Sequence, residues 1–413
     1  MKKQLATALL TLTLIASVNA EDLLQKGLEA YNKQDYAAAI EIWRPLAESG
    51  NASAQFALGA MYANGEGMPR DGSQAVTWYR KAAEQDSAGA QFNLGVMYEN
   101  GQGVAQDGAQ AVTWYRKAAE QGYADAQFNL GVMYANGQGI PKDDAQAAAW
   151  FRKAAEQGNA SAQYSLGNKY QNGLGVPKDE AQAAAWYRKA AEQGHARAQL
   201  ILGAKYSIGE GVPEDNAQAA TWFGKAAEQG NADAQHLLGS MYAAGIGVKQ
   251  NYAWAVYWEA LSAQQGNEAA INSLITYRDQ LTKYRAKSAT LNVRAKPTTD
   301  SKVLRQAQQG DILYRLDEPA SGWIAVYLPD GHTIGYVSES LVAKLQNGGS
   351  RVASNSSPYP ATPAARPGYV TCNTKCFNGN CFRTYSDGRQ VNFQAQQRWN
   401  AMNNQFEWNS GSC

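Results

Sequence analysis

The sequence predicts a mainly α protein: an α-solenoid of helix-turn-helix repeats, followed by a small β-barrel and a small disulfide-bonded β module. Three observations support this fold class. A unit of constant length recurs six times without gaps across residues 51–266. The apolar pattern changes from a helical to an alternating period near residue 286, and the four cysteines all lie between positions 372 and 413.

The composition argues against several functional classes. Lys and Arg number 37 against 36 Asp and Glu, so no charge excess points to nucleic acid or an anionic membrane surface. The three histidines, His195, His236 and His332, are too dispersed for a histidine metal cluster or a proton relay. We therefore expect no metal site, no cofactor and no nucleic-acid partner.

Residues 1–20 have the pattern of a secretory signal peptide. Two lysines at the start precede a largely apolar stretch over 5–16, and the small residues of 18–20 suit cleavage before Glu21. The alternative is that this segment is not cleaved and anchors the chain in a membrane. However, threonines interrupt the apolar stretch, which is short for a membrane-spanning helix. We expect a mature chain without a membrane span, in a periplasm or outside the cell.

Each copy of the repeat reads as two helices. The copies are 51–86, 87–122, 123–158, 159–194, 195–230 and 231–266. In the second copy, one arc of the first helix carries Ala90, Gln91, Leu94, Gly95 and Tyr98. The second helix has an amphipathic stripe of Ala111, Trp114, Tyr115, Ala118 and Ala119. Glycines at 101, 103 and 122 are predicted to end these helices.

The repeated tryptophans of the second helices are predicted to be core, because a ligand pocket would not recur at every register. They are Trp78, Trp114, Trp150, Trp186, Trp222 and Trp258. The neighbouring Arg-Lys pairs are predicted to form a solvated, ion-paired rim, since Arg80 and Glu84 stand four residues apart.

The pattern AxAQxxLGxMYxxGxGVxxDxxxAxxWYRKAAEQG resembles the Sel-1-like repeat, a relative of the tetratricopeptide repeat, over 51–266. Residues 27–50 resemble a divergent tetratricopeptide-like pair, and a helical segment to about 285 would cap the other end, so the predicted solenoid covers 21–285. The resemblance implies a right-handed superhelix whose concave surface binds other proteins. It does not imply catalysis.

A row of side chains on the first helices is the candidate partner surface of the solenoid. Aromatic rings at the sixth position supply contact area, and Asn at the seventh can pair with an extended peptide backbone. The alternative is that these rings pack between adjacent first helices. The row consists of Phe56, Phe92, Asn93, Phe128, Asn129 and Tyr164.

Residues 286–345 read as short strands, with Asp330-Gly331 as a hairpin turn. The ordered markers LNVRAKP, Gly-Asp, Gly-Trp and Gly-Tyr-Val resemble the bacterial Src-homology-3-like domain. The resemblance implies a small barrel that binds cell-wall peptide, although such barrels also bind proteins. The candidate ligand residues are Arg294, as a carboxylate partner, with Tyr314, Trp323, Tyr327 and Tyr336. Trp323 suits the core equally well.

Residues 346–368 are rich in Gly, Ser, Ala and Pro, which predicts a flexible linker. The final segment, 369–413, is predicted to be a β module held by two disulfides, because so short a secreted segment buries little surface and its spacing does not suit zinc. Its cysteines are Cys372, Cys376, Cys381 and Cys413.

Three disulfide connectivities are open, and the hairpin geometry favours one. Asn378-Gly379 is a strong two-residue turn signal, which makes Cys376 and Cys381 directly opposed strand partners. We predict a Cys376–Cys381 disulfide, leaving Cys372 and Cys413 to pair. A second hairpin, turning at 386–388, is predicted to join 382–385 to 390–394.

These signals favour binding over catalysis. The first hypothesis is a non-catalytic periplasmic or secreted adaptor, whose solenoid binds proteins or extended peptides and whose barrel binds peptidoglycan peptide. A secreted host-facing binding protein or effector is the alternative. A cell-wall-acting enzyme is a third hypothesis. Cysteine-rich relatives linked to penicillin binding carry cysteine pairs inside the repeats, which are absent here, and carboxylates such as Asp107 suit helix caps. We predict that the protein is not an enzyme.

Overall fold

Each copy of the repeat folds into a pair of helices whose ends are set by capping residues and glycine. The computed structural model describes residues 20–316 and 322–345, together with the backbone of five strands between residues 372 and 409. The predicted linker and all but the last residue of the predicted signal peptide therefore lie outside the described residues. The chain forms two compact units, which divide between His195 and Ala196.

The first unit consists of helix pairs, as the sequence predicts. Its helices are α1 (20–32), α2 (Tyr36–Glu48), α3 (Ala52–Asn64), α4 (Gly72–Ala83), α5 (Ala88–Asn100), α6 (Gly108–Glu120), α7 (Ala124–Asn136), α8 (Asp144–Glu156), α9 (Ala160–Asn172) and α10 (Glu180–Glu192). α1 and α2 form the extra pair predicted ahead of the repeats.

The second unit continues the same pairing and ends its helical part with one additional helix. Its helices are α11 (Ala196–Ile208), α12 (Asn216–Glu228), α13 (Ala232–Ala244), α14 (Tyr252–Gln264) and α15 (Glu268–Tyr277). None of the helices in the described residues has the length and apolar character of a membrane span.

The loop inside each repeat shows why its residue types recur. Asp107 caps α6, accepting hydrogen bonds from the backbone amides of Ala109 and Gln110 at 2.9 and 3.0 Å. Gly103 has φ of 68°, and a Cβ on it would lie 2.0 Å from the Gly72 carbonyl carbon. Only glycine suits both the positive φ and the close approach of Gly72, because a side chain would strain the backbone and collide with the preceding repeat.

A ladder of buried glutamines joins successive repeats. Gln91 is fully buried, and its Nε2 donates to the Ala83 carbonyl at 3.0 Å, at the end of α4. Its Oε1 accepts from Gln121 Nε2 at 2.7 Å, at the end of α6. Because a buried amide must find partners, these bonds fix how three helices stack. The same glutamine pair recurs as Gln55–Gln85, Gln127–Gln157, Gln163–Gln193, Gln199–Gln229 and Gln235–Gln265.

The core of each repeat depends on a close approach at glycine. Gly95 faces the buried ring of Tyr115, which a Cβ on the glycine would approach to 2.6 Å. The tryptophan prediction is confirmed for Trp78, Trp114 and Trp222, which are buried. Trp150, Trp186 and Trp258 are half-buried.

Residues 283–345, called the β domain below, form a seven-stranded antiparallel sheet. Its strands are β1 (Lys283–Ala286), β2 (Thr290–Arg294), β3 (Val303–Gln308), β4 (Ile312–Arg315), β5 (Trp323–Leu328), β6 (Thr333–Ser338) and β7 (Val342–Lys344). The order is β3-β2-β6-β5-β4-β1-β7. The predicted Asp330-Gly331 turn connects β5 and β6, with Gly331 at φ 71°. Leu291, Val326 and Val337 belong to its buried core.

The β domain packs directly on the last helices of the solenoid. Val256 and Ala260 of α14 and Leu274 of α15 share one buried cluster with Tyr314 and Tyr327. The Gln264 side chain also donates to the His332 carbonyl at 2.6 Å. The helical part of the second unit and the β domain therefore share a hydrophobic core.

The C-terminal segment contains five strands: β8 (Cys372–Phe377), β9 (Asn380–Tyr385), β10 (Gln390–Gln394), β11 (Gln396–Asn400) and β12 (Gln405–Asn409). β8 and β9 are antiparallel with Cys376 opposite Cys381, which confirms the predicted hairpin register. β9 and β10 form the second predicted hairpin. The side chains of these strands and Cys413 lie outside the described residues, so both disulfides stay predictions.

Candidate partner-binding surfaces

The aromatic row of the first helices is half-buried between neighbouring elements. The Phe56 ring lies 5.8 Å from the Tyr79 ring of the same repeat. On the other side it faces Gly89 of the next first helix, whose Cβ, if present, would lie 3.3 Å away. Phe92, Phe128 and Tyr164 repeat the contact within their own copies. Each ring thus packs on the second helix of its own copy, and Phe56 also packs against the next first helix, as the alternative interpretation states. Each ring keeps part of its surface exposed, so its contact with a partner stays a prediction.

The asparagines of the row lie beside tyrosine hydroxyls of the preceding repeat. Asn93 acts to lower the pKa of Tyr79, and Asn129 acts to lower that of Tyr115, in both cases against the larger effect of burial. The Tyr115 hydroxyl donates to Glu99 Oε2 at 2.5 Å. Burial, with the Glu99 carboxylate adding to it, raises the pKa of Tyr115. Each Asn amide still has hydrogen-bonding capacity for a second partner, so contact with a peptide stays a prediction.

The basic residues of the second helices bind neighbouring aromatic residues, which differs from the predicted ion pairing. Arg80 donates to the Tyr98 hydroxyl of the next repeat at 2.6 Å. The Lys81 ammonium lies 4.2 Å from the centre of the Trp78 ring. Arg80 bonds the Tyr98 hydroxyl and not Glu84, because the next repeat holds that hydroxyl in place whereas Glu84 is exposed to water. An ion pair exposed to water contributes little to stability. The lysine–tryptophan contact recurs at Lys117–Trp114, Lys153–Trp150, Lys189–Trp186 and Lys225–Trp222.

Two of the five predicted ligand residues of the β domain line one cleft. Arg294 and Trp323, both half-buried, face a cleft of about 800 Å³ that also includes Asn292 and Glu339. Arg294 Nη1 donates to the Ser301 carbonyl at 2.6 Å, which holds the guanidinium in place. The cleft therefore combines a fixed cation with an aromatic face, a pairing suited to a carboxylate-bearing peptide.

The other three predicted ligand residues lie elsewhere. Tyr327 is fully buried and Tyr314 is 7% exposed, because both pack against α14 and α15. The prediction that Tyr314 and Tyr327 are surface ligand residues is therefore wrong. Alternation distinguishes the two faces of a strand, but it does not show that docked helices cover one of these faces. Tyr336 is half-buried and lies in a different groove, between α14 and the β domain.

The last repeat contains a buried polar cluster that is not among the residues predicted from the sequence. Glu259 is fully buried, and its Oε2 lies 2.8 Å from His236 Nδ1. Its Oε1 accepts from the Ser240 hydroxyl at 3.3 Å. Glu259 and His236 occupy the repeat positions that hold Tyr79 and Phe56 in the first copy. The signal was visible in the column of aligned copies, which is Tyr, Tyr, Phe, Tyr, Phe and then Glu.

The environment of this pair favours its uncharged form. Burial raises the pKa of the Glu259 carboxyl to about 9, although the Ser240 hydrogen bond acts in the opposite direction. Burial also lowers the pKa of the His236 imidazole, opposed by the nearby Asp233 carboxylate. At neutral pH we infer a protonated Glu259 that donates to the neutral Nδ1 of His236. The described residues contain no group of three or more metal-ligating side chains arranged to hold an ion.

Taken together, the fold is that of an α-solenoid joined to a small antiparallel β domain, a class of protein built from binding modules. The helix pairs match the Sel1 repeat family at residues 52–87, 88–123, 124–159, 160–195, 196–231 and 232–267. Residues 289–343 match the bacterial SH3 domain family. The chain belongs to the Sel1 repeat family.

Solved structures of related proteins agree with this assignment. The protective antigen c5321 of uropathogenic Escherichia coli strains, which displays an SLR fold, is 40% identical with a TM-score of 0.62. The match covers 65% of this chain and 59% of the antigen, so the chain spans about three fifths of that protein. A Sel1 repeat protein from Oxalobacter formigenes is 36% identical, with a TM-score of 0.52 over 58% of this chain and 96% of its own. A search of curated proteins finds no significant match.

Proposed function

We propose that the protein is a non-catalytic adaptor of the cell envelope, exported to the periplasm or beyond. The Sel1 solenoid binds protein partners or extended peptides, and the SH3 domain binds the peptide of peptidoglycan. Sel1 repeats mediate protein–protein interaction, and SH3 domains of this family bind peptidoglycan, which supports both halves of the proposal. The observation that supports this attachment to peptidoglycan, called the tether below, is the cleft that Arg294 and Trp323 both line.

Cosedimentation of the chain with purified peptidoglycan sacculi tests the tether. Removing residues 286–345 would expose the apolar surface of α14, so point substitutions give the sharper comparison. Arg294→Gln and Trp323→Ala should each reduce the pelleted fraction. Loss of a charge-assisted bond of about 1.5–3 kcal/mol weakens binding roughly tenfold or more. Arg285→Ala removes an exposed arginine of the same domain outside the cleft and should pellet like the unmodified chain.

Two outcomes would reject the tether. One is failure of the unmodified chain to pellet, and the other is equal pelleting by all three variants. In either case the proposal that the solenoid binds protein partners would remain. It is tested separately by comparing the partners captured by the unmodified chain with those captured by the chain carrying Phe92→Ala.

The similarity to a protective antigen favours a second candidate function, a secreted host-facing binding protein or effector. Fractionation of a producing culture distinguishes the two proposals. Recovery of the chain from the growth medium supports the host-facing role, and retention with the periplasmic fraction supports the envelope adaptor.

A further inference from the structure

The second unit contains a groove for which neither repeat packing nor SH3 architecture accounts. It lies between α14 and the β domain and has a volume of about 1130 Å³. Trp254, Tyr257 and Leu261 of α14 line one side. Leu304, Leu316 and Tyr336 of the β domain line the other. The groove exists only because the domain docks on the last repeat.

The aromatic side of the groove is a departure from the repeat. Trp254 is 47% exposed, and its ring stacks at 6.2 Å on Tyr242 and meets Tyr257 edge-on at 5.4 Å. The other five copies all have glutamine at the position of Trp254: Gln74, Gln110, Gln146, Gln182 and Gln218. Repeat packing therefore does not require this tryptophan. An exposed ring held rigidly by two neighbours is typical of a binding anchor.

The charge of the groove restricts what it can bind. Among its lining residues, Arg315 alone is charged, and the others are aromatic, aliphatic or neutral polar. A charged ligand would lose its hydration there without a matching set of partners. Aromatic ridges with indole, phenol and amide donors suit an extended proline-containing peptide, whose carbonyls are free to accept hydrogen bonds.

A segment of this chain has that chemistry and starts beside the groove. The Leu345 amide donates to the Lys283 carbonyl at 2.9 Å, next to Thr282 in the groove wall. Residues 352–365 contain no charged side chain and include three prolines, at 358, 360 and 363. Pro358 follows Leu345 by 13 residues, a reach of up to about 40 Å. We propose that residues 357–365 bind this groove as an extended ligand in the same chain.

Photocrosslinking of the full chain tests this proposal. Benzoylphenylalanine in place of Tyr359 keeps an aromatic side chain in the segment, and on illumination it forms a covalent bond with the neighbouring residue. Mass spectrometry should place the main crosslinks within 251–264 or 333–336 of the same chain, at a yield independent of protein concentration. Trp254→Ala should lower that yield about tenfold, as loss of an anchor residue does. Ile275→Ala removes a comparably exposed apolar side chain outside the groove and should leave the yield unchanged.

Three results would overturn the proposal. Crosslinks scattered over the chain would show that the segment has no defined site. A yield unaffected by Trp254→Ala would show that the groove is not that site. Crosslinks only between chains, rising with concentration, would assign the groove to a second copy and not to the segment of the same chain. Circular dichroism of each variant verifies that the helices are intact.

Discussion

The buried His236–Glu259 pair makes the stability of the last repeat depend on pH. A carboxyl whose pKa rises on folding from its ordinary 4.5 to about 9 stabilises the fold fully below pH 4.5, and that stability is lost as pH rises toward 9. The lowered pKa of His236 acts oppositely, since its contribution is lost as pH falls below its ordinary 6.5. Stability should therefore fall above about pH 6.5, where only the glutamate effect operates.

The slope of the free energy of unfolding against pH follows from the linkage between proton binding and folding. One proton released per molecule changes the free energy of unfolding by about 1.4 kcal/mol per pH unit. Between pH 7 and pH 9 the loss is therefore at most about 3 kcal/mol. Glu259→Gln keeps the shape and can donate an amide hydrogen bond to His236 but does not titrate in this range. It should remove most of this slope.

The first copy supplies a matched design for the same site. Phe56 and Tyr79 fill the equivalent positions there, and Gly239 leaves room for a ring as Gly59 does. The double variant His236→Phe, Glu259→Tyr should therefore be more stable at pH 8 by about 1–4 kcal/mol, as when a buried polar pair is replaced by packed apolar groups.

Urea unfolding of the full chain at pH 5–9, followed by circular dichroism, measures the slope. Hydrogen exchange of α13 and α14 assigns it to the last repeat, because repeat arrays do not always unfold in two states. An unchanged slope in Glu259→Gln would refute the reasoning, and so would a double variant less stable than the unmodified chain.

Three further substitutions test the repeat itself, each by urea unfolding. Gln91→Leu should destabilise by about 2–4 kcal/mol, because it leaves the Ala83 carbonyl and the Gln121 amide without their buried partner; equal stability would contradict this. Gly103→Ala should be far more destabilising than Gly122→Ala, which has a positive φ but open space around its Cβ, and similar losses would reject the steric argument. Lys169→Met should change stability by less than about 1 kcal/mol, because Met fills this position in four copies and the carboxylate it leaves is partly exposed.

The sequence by itself determined the parts of the structure that depend on neighbours in the chain. Helix pairs, the Asp107 cap, the glycine turns and the register of Cys376 opposite Cys381 follow from spacing and local conformational preference, and the structure has each of them. Family membership followed from the same periodicity. Periodicity did not reveal the role of Glu259, because a repeat is recognised by the residues that its copies share.

Tertiary structure alone decided which faces remain accessible. Val256 and Tyr327 are distant in sequence yet share one core, so the burial of Tyr327 depends on how the β domain docks on α14. The same docking creates the groove beside Trp254. Likewise Arg80 bonds Tyr98 because stacking places the next repeat within reach. Side-chain type and local spacing constrain conformation within a few residues, whereas burial depends on surfaces that meet only after each element has folded.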